Sequence, residues 1–426
     1  MEVITLIIII IIVIFIAVIV SAIWPTTGLI AFMSIYLVKG SLRLYFPFFD
    51  GFWGYLFDMG VLLLAFIGII THYIKFGGRQ CKLVPGYVWF SMAFLCLWVW
   101  LRLPISRNPQ YGLIKALIFS IFNMSIILLG IFSVRTLFQA KKVIKAIIII
   151  GICTLISILI FGNGQNGWEG ARITLTETNP LAPADFAAYL IIILISYWLA
   201  KRKKIYALII FIIVPLALIT IFLTGSRGAL FALPIVIFFI FYFYRHLIGI
   251  KLPIYFFILV FVLFGAISYV ASEAVVENRM SSDSIQSGLT IRTQLTKITF
   301  VEWLASPILG TGTGDTSVQF SENGINSRYP HNVIFEVANE LGIIGLVPFL
   351  LLLYAGVRSM NYILFTDIEN SEIKECFVPL FGCFLYHFLL SFKTGSYAGS
   401  NMFYFFLGTI ISWTELIKYY ETKIEN

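Results

Sequence analysis

Apolar runs long enough to cross a membrane recur from one end of this chain to the other, and they leave few folds open. The run Leu6–Val20, LIIIIIIVIFIAVIV, has no polar side chain anywhere in it. A transmembrane helix takes about 17–25 apolar residues. Inside lipid every backbone N–H and C=O needs a partner, so only helices and closed barrels span. Barrel strands alternate apolar and polar residues and would not give unbroken runs. The chain is therefore expected to be an all-α polytopic membrane protein, one integral membrane domain over 1–426. Composition agrees: 60% of its 426 residues are hydrophobic and 12% are charged, against about 25% charged in soluble domains.

Spans are expected near 4–22, 25–38, 53–71, 86–101, 113–134, 143–162, 181–199, 205–223, 228–244, 253–271, 333–357, 376–392 and 400–417. The second is short and could form one broken unit with the first, so the count is 12 or 13. The first lacks a basic flank, with Glu2 its only preceding charge, and reads as an uncleaved span. Most connections are short. The exception is 272–332, the one long extracytoplasmic loop.

The net charge of +8 matters less than its distribution. On the side opposite the long loop, segments 72–85, 135–145, 200–205, 245–252, 358–375 and the tail carry 17 basic residues, 12 of them lysine. Short basic loops read as cytoplasmic, so the long loop faces outward. Lys39 and Arg43 fit this less well if all the spans cross. Outside, beyond residue 100, seven of nine basic residues are arginine. Lysine suffices to set topology, whereas arginine offers a planar fork for phosphate or carboxylate. An anion site on the outer face follows as the functional expectation.

The chain has no Walker loop, HExxH, GxSxG or CxxC, and no DxD pair to hold a metal-bound nucleotide sugar. No metal-ligand set or cofactor is expected. The five cysteines read as small packing residues. No repeat of the transporter kind stands out.

Three outer stretches carry candidate chemistry. FLTGSRGALFALP holds Ser226 and Arg227 in a tight turn between two spans, where glycine amides and a helix N-terminus would favour phosphate. SGLTIRTQLTKITFVEWLASPILGTGTG begins with an amphipathic helix, Ile291, Leu295, Ile298 and Val301 forming one apolar face, with Arg292 in its first turn. Its GTGTG run is a flexible turn and, alone, a weak phosphate signal. SRYPHNVIFEVANELGIIGLVPFLLLLY then puts His331 at the outer mouth of a span. Imidazole suits proton transfer near neutral pH. Asn332, Glu336, Asn339 and Glu340 follow, largely on one helical face. Buried carboxylates need partners, so Glu340 or Glu336 would orient His331 or pair with an outer arginine. His387, near the outer end of its span, is the fallback histidine. Arginines without a metal suit a lipid-linked diphosphate donor, whose departing charge they would stabilise.

These stretches resemble the bacterial O-antigen ligase and O-antigen polymerase superfamily. The similar residues are TGSRGAL, then Arg292, Trp303, Pro307, Gly310 and Gly312, then His331, Asn332, Glu340, Gly342 and Gly345. GARITLTETNPLAPADFAAYL is similar to the family's earlier outer-loop region. The likeness covers about 170–355, an O-antigen ligase/polymerase-like core. It implies a metal- and ATP-independent glycosyltransferase. Such an enzyme moves a glycan from an undecaprenyl-diphosphate carrier to a glycan or lipid-glycan acceptor, at the outer side of the bacterial inner membrane. By position, Arg227 and Arg292 would hold the diphosphate and His331 would be the base. Arg172 and Arg328 are further diphosphate candidates, with Glu340 and Asn332 supporting. Glu336 falls outside the family pattern. Polymerase, ligase and protein glycosyltransferase stay open, as does the alternative of a lipid-linked glycan flippase or transporter.

Overall fold

The computed structural model describes residues 52–76, 84–134, 136–161, 163–165, 172–174, 181–247, 282–365, 371–393 and 395–425. The expected spans at 4–22, 25–38 and 253–271 lie outside the described residues. Every other expected span falls on a helix. In chain order these are α1 (Phe52–Phe76), α2 (Gly86–Leu101), α3 (Pro109–Ser133), α4 (Leu137–Phe161), α5 (Leu181–Lys201), α6 (Lys204–Leu223), α7 (Arg227–Phe243), α8 (Ser282–Ala305), α9 (Thr316–Glu322), α10 (Val333–Phe365), α11 (Ser371–Ser391) and α12 (Asn401–Glu425). Among the described residues, seven helices are long and apolar enough to cross a membrane. The protein is an all-α, multi-pass membrane protein. Its strands among the described residues, β1 (Asn163–Gln165) and β2 (Arg172–Thr174), form a short antiparallel hairpin with Gln165 opposite Arg172.

Helix α5 is the central helix, buried on all sides from Phe186 to Ser196. The outer helices show the reverse, with Phe90, Ile156, Ile160, Phe211 and Phe238 standing exposed on apolar surfaces. Helices apolar all round are built for lipid. Where lipid is as apolar as the side chains, packing rests on close approach. A methyl on Gly130 of α3 would stand 2.2 Å from the Phe405 carbonyl oxygen, and one on Gly408 of α12 2.3 Å from that of Ile127. These glycines let α3 and α12 pack backbone to backbone.

The two ends of the bundle differ in chemistry. At one end Lys141 pairs with Glu372 at 2.9 Å and Lys201 with Glu375 at 3.1 Å. At the other end segments 102–108, 224–228, 282–332 and 392–400 gather. The described part of the long connection is largely helical. Helix α8 is amphipathic, but its faces differ from the expected ones. Leu295 is buried, whereas Ile291 and Val301 are exposed, together with Leu289, Phe300 and Leu304. The inward face instead holds Gly288, Arg292, Leu295 and Thr299, one turn apart in sequence. The bundle, not apolar periodicity alone, selects the buried face.

Helix α10 is broken at Gly342, where φ is 65° and ψ is −171°. That conformation is essentially reserved for glycine. Segment 307–314 fills the break. Thr311 and Gly312 amides donate to the Asn339 and Glu340 carbonyls at 2.8 and 3.1 Å, and Ile343 and Ile344 amides donate to Pro307 and Ile308 at 2.9 and 3.3 Å. The Trp98 indole donates to the Leu341 carbonyl at 2.8 Å. Irregular backbone at membrane depth is tolerated only when protein satisfies it in this way.

Candidate active site

At the end where the long connection packs, a cavity of about 440 Å³ opens into the bundle. Tyr111, Arg328 and Tyr329 line it from one side and Ser226 and Gly228 from another. Asp185 and His387 lie on its wall, and Ser396, Ser400 and Asn401 add polar groups from the α11–α12 connection. The volume is within the range of ligand sites, roughly 300–1,000 Å³.

Arg227 begins α7, directly after Gly225 (φ 65°) turns the chain between spans. Its guanidinium lies along α8, so close that a methyl on Gly288 would stand 3.1 Å from Nη2. Arg292 is one turn further along the same inward face. The Arg292 charge also reaches Tyr329. Burial, then the Glu336 carboxylate, pushes that phenol above its ordinary value, while Arg292 and Lys115 pull it down. Arg328 is exposed and its guanidinium sits 5.8 Å from the centre of the Tyr111 ring, at the cavity mouth. Arg227, Arg292 and Arg328 thus come to one end of the bundle. Arg172 lies in β2, where its backbone pairs with Gln165.

His331 follows Pro330 with φ 58°, a left-handed backbone that non-glycine residues seldom adopt. Its ring meets the Tyr329 ring edge to face, centroids 4.5 Å apart, so it stands directly behind a side chain that lines the cavity. Asn332 caps α10: its Oδ1 accepts from the Ile334 and Phe335 amides at 3.1 and 3.3 Å.

Glu336 and Glu340 take their charge partner from α3. Lys115 Nζ donates to Glu336 at 2.6 Å and to Glu340 at 2.7 Å, with all three side chains buried. The Ser396 hydroxyl and Tyr397 amide also donate to Glu336, at 3.0 and 2.9 Å. The Tyr397 hydroxyl and Gly314 amide donate to Glu340, at 2.8 and 2.9 Å. The carboxylates therefore hold α3, α10, the glycine run and the α11–α12 connection together, rather than orienting His331 or pairing with an outer arginine. The glycine run is likewise structural. Its amides, Gly310 to Gly314, donate to Ser306, Asn339, Glu340, Arg102 and the Glu340 side chain in turn, which leaves none to cradle phosphate.

Two outer arginines are also structural. Arg102 donates to the Gly310 carbonyl at 2.7 Å. Arg107 grips buried Asp315 with two nitrogens, at 3.1 and 2.8 Å, and hydrogen bonding to Asp315 holds its guanidinium above the ordinary value. His387, the fallback histidine, is hydrogen-bonded through Nε2 to the Tyr189 hydroxyl, and Tyr386 donates to Asp185 at 2.8 Å. Among the described residues, no three His, Cys, Asp or Glu side chains converge to hold a metal ion. Sequence reasoning assigned no role to Lys115 or Lys393. Lys115 was legible only as a cation inside a span, and Lys393 sits in a connection with no motif.

The fold and the site together define a multi-pass membrane protein with a polar cavity at one end of its helical bundle. Residues 212–350, about a third of the chain, match the family model Wzy_C, O-Antigen ligase, and over that stretch the chain is similar to the O-antigen ligase family. The match runs from α6 into α10 and takes in the Arg227 turn, α8, the glycine run and His331. No curated protein matches the chain.

Proposed function

We propose that the protein transfers a glycan from an undecaprenyl-diphosphate carrier to an acceptor hydroxyl, on the outer side of the bacterial inner membrane, in surface-polysaccharide assembly. The observation that carries this reading is the Arg227 guanidinium lying along α8 one turn from Arg292, near a cavity lined by Tyr329, whose ring His331 packs against. The acceptor oxygen would attack the anomeric carbon of the carrier-linked sugar. The carbon–oxygen bond to the diphosphate breaks and the diphosphate leaves with the electron pair. His331 takes the acceptor proton. Direct displacement inverts the anomeric centre. Two guanidinium forks offset the charge that grows on the departing oxygens. The cavity, lined by hydroxyls, tyrosines and Asp185, suits a sugar unit. On this reading the transferase needs neither metal nor nucleotide.

The test is transfer by purified protein in nanodiscs, with carrier-linked glycan, EDTA and no nucleotide. Product glycan and free carrier diphosphate are expected to appear together. Arg227→Lys and Arg292→Lys should recover little activity, because an ammonium lacks the fork. A strict divalent-metal requirement, or wild-type rates in both lysine variants, would refute the mechanism. Transport of intact carrier across the bilayer without bond cleavage would favour a flippase. Deletion followed by glycan analysis separates the subclasses: single repeat units on the acceptor mark a lost polymerase, long chains left on the carrier a lost ligase.

A further inference from the structure

We propose that Lys393 is a third cation of the diphosphate cradle, closing it from the α11–α12 connection; this rests on the reading that Arg227 and Arg292 grip the diphosphate. Lys393 follows α11 by two residues, and its amide donates to the Leu390 carbonyl at 2.9 Å, which fixes the turn. Its Nζ lies 4.8 Å from the centre of the Phe231 ring. Phe231 is one turn along α7 from Arg227, so the ammonium sits on the face of α7 that carries the first arginine. Arg227 in turn lies against Gly288, one turn of α8 from Arg292. Three cations from three separate parts of the sequence are thereby brought to one place.

Like charges held together repel, and an anion gripped by Arg227 and Arg292 would also lie in the field of Lys393, which both arginines already reach. A diphosphate ester supplies two adjacent phosphate groups, and its release adds a further negative charge. The Lys393 amine behaves as this geometry requires. Burial first, then the Arg292 and Arg227 charges, push it down to about 8. The charged groups acting on it are Arg227 from α7 and Arg292 from α8, and both disfavour its proton. A bound diphosphate reverses that bias.

The sign follows from linkage. Below pH about 8 the amine is already charged in the empty site and affinity is at its plateau. Above it, each binding event must also take up a proton, and affinity falls by about tenfold per pH unit. The experiment titrates undecaprenyl diphosphate into full-length protein in nanodiscs of zwitterionic lipid, from pH 6.5 to 9.5. Wild type should show the plateau and the fall. Lys393→Arg should stay flat across the range, since a guanidinium keeps its charge. Lys393→Met should be flat and at least tenfold weaker at pH 7. Wild-type affinity and pH profile in Lys393→Met, with weakened binding in Arg227→Met and Arg292→Met, would overturn the role of Lys393 and leave the diphosphate reading standing. Unchanged binding in all three methionine variants would overturn both. In a parallel arm the nanodiscs contain phosphatidylglycerol. If that anionic lipid abolishes the pH-dependent binding of the diphosphate, Lys393 serves as a headgroup anchor and the proposal fails.

Discussion

Lys115→Met tests what holds the site together. Methionine keeps most of the stem volume and removes the charge. In the wild type one ammonium faces two carboxylates at 2.6 and 2.7 Å, and the side chains of all three are at most 1% exposed. The ammonium also stands 4.5 Å from the centre of the Tyr397 ring. Removing one partner of a buried ion pair costs about 3–5 kcal/mol, because an uncompensated charge stays behind. Here two carboxylates are left facing each other, so the upper part of that range is expected. Against a total stability of about 5–15 kcal/mol this is a large share. The assay is unfolding of the purified protein in lipid nanodiscs, with the triple variant Lys115→Met, Glu336→Gln, Glu340→Gln as the control. The amide oxygens can still accept from the Tyr397 amide and hydroxyl and the Gly314 amide, and the NH2 of residue 336 can donate to the Ser396 hydroxyl, so the triple variant should recover most of the loss. Stability within about 1 kcal/mol of wild type for Lys115→Met alone would refute the reasoning. A triple variant less stable than the single one would do the same, because charge would then not be the cause.

Gly342→Ala should lower stability by at least about 2 kcal/mol in the same assay: the backbone there has φ 65°, and the added methyl would meet the Ile308 carbonyl oxygen at 2.2 Å. A neutral result would mean that α10 has no need of the break. His331→Ala and His331→Gly should both lower transfer by about 10²–10⁴-fold if imidazole is the base. Glycine should be the more stable of the two by about 1–2 kcal/mol, because φ 58° suits it. Full transfer in His331→Gly removes the histidine from the chemistry, and equal stability of the two variants removes the strain.

The spans were legible because lipid admits one solution for a long apolar segment: a helix that satisfies its own backbone. The break in α10 was not. ELGIIGLVPF reads as continuous apolar helix, and what interrupts it is a turn-rich segment, 307–314, arriving from more than twenty residues upstream. The same blindness to tertiary partners explains the glycine run. Glycine-rich turns do bind phosphate, but only with free amides, and here Asn339, Glu340 and Arg102 accept those hydrogen bonds. Glu340 was legible as a buried carboxylate that needed a partner. The partner, Lys115, lies 225 residues away in sequence, and no local pattern joins the two. Arg227, Arg292 and Arg328 became candidates because arginines expected outside stood out against lysines expected inside. That signal also swept in Arg102 and Arg107, whose forks serve backbone and Asp315. Composition by side identifies a class of residue, and the hydrogen-bond geometry picks out Arg102 and Arg107 as members that bind the protein.

The plug in α10 ties these elements to the chemistry. Helix α8 brings Arg292, and after Ala305 the chain passes straight into the segment that fills the break at Gly342. The half of α10 above the break, Val333 to Leu341, is about 13 Å long at 1.5 Å per residue and ends at the Asn332 cap and His331. The cation helix and the doorway histidine are therefore anchored at one shared point, by backbone bonds from Pro307 to Gly312 and by the Glu340–Gly314 contact. Lys115 holds that point to α3, and the same side chain lines the cavity. Intramembrane charge, which is costly wherever it lacks a partner, is here paired within the bundle, where Lys115 meets both Glu336 and Glu340. Glu336 and Glu340 thus tie the half of α10 that follows His331 to α3, the glycine run and the α11–α12 connection.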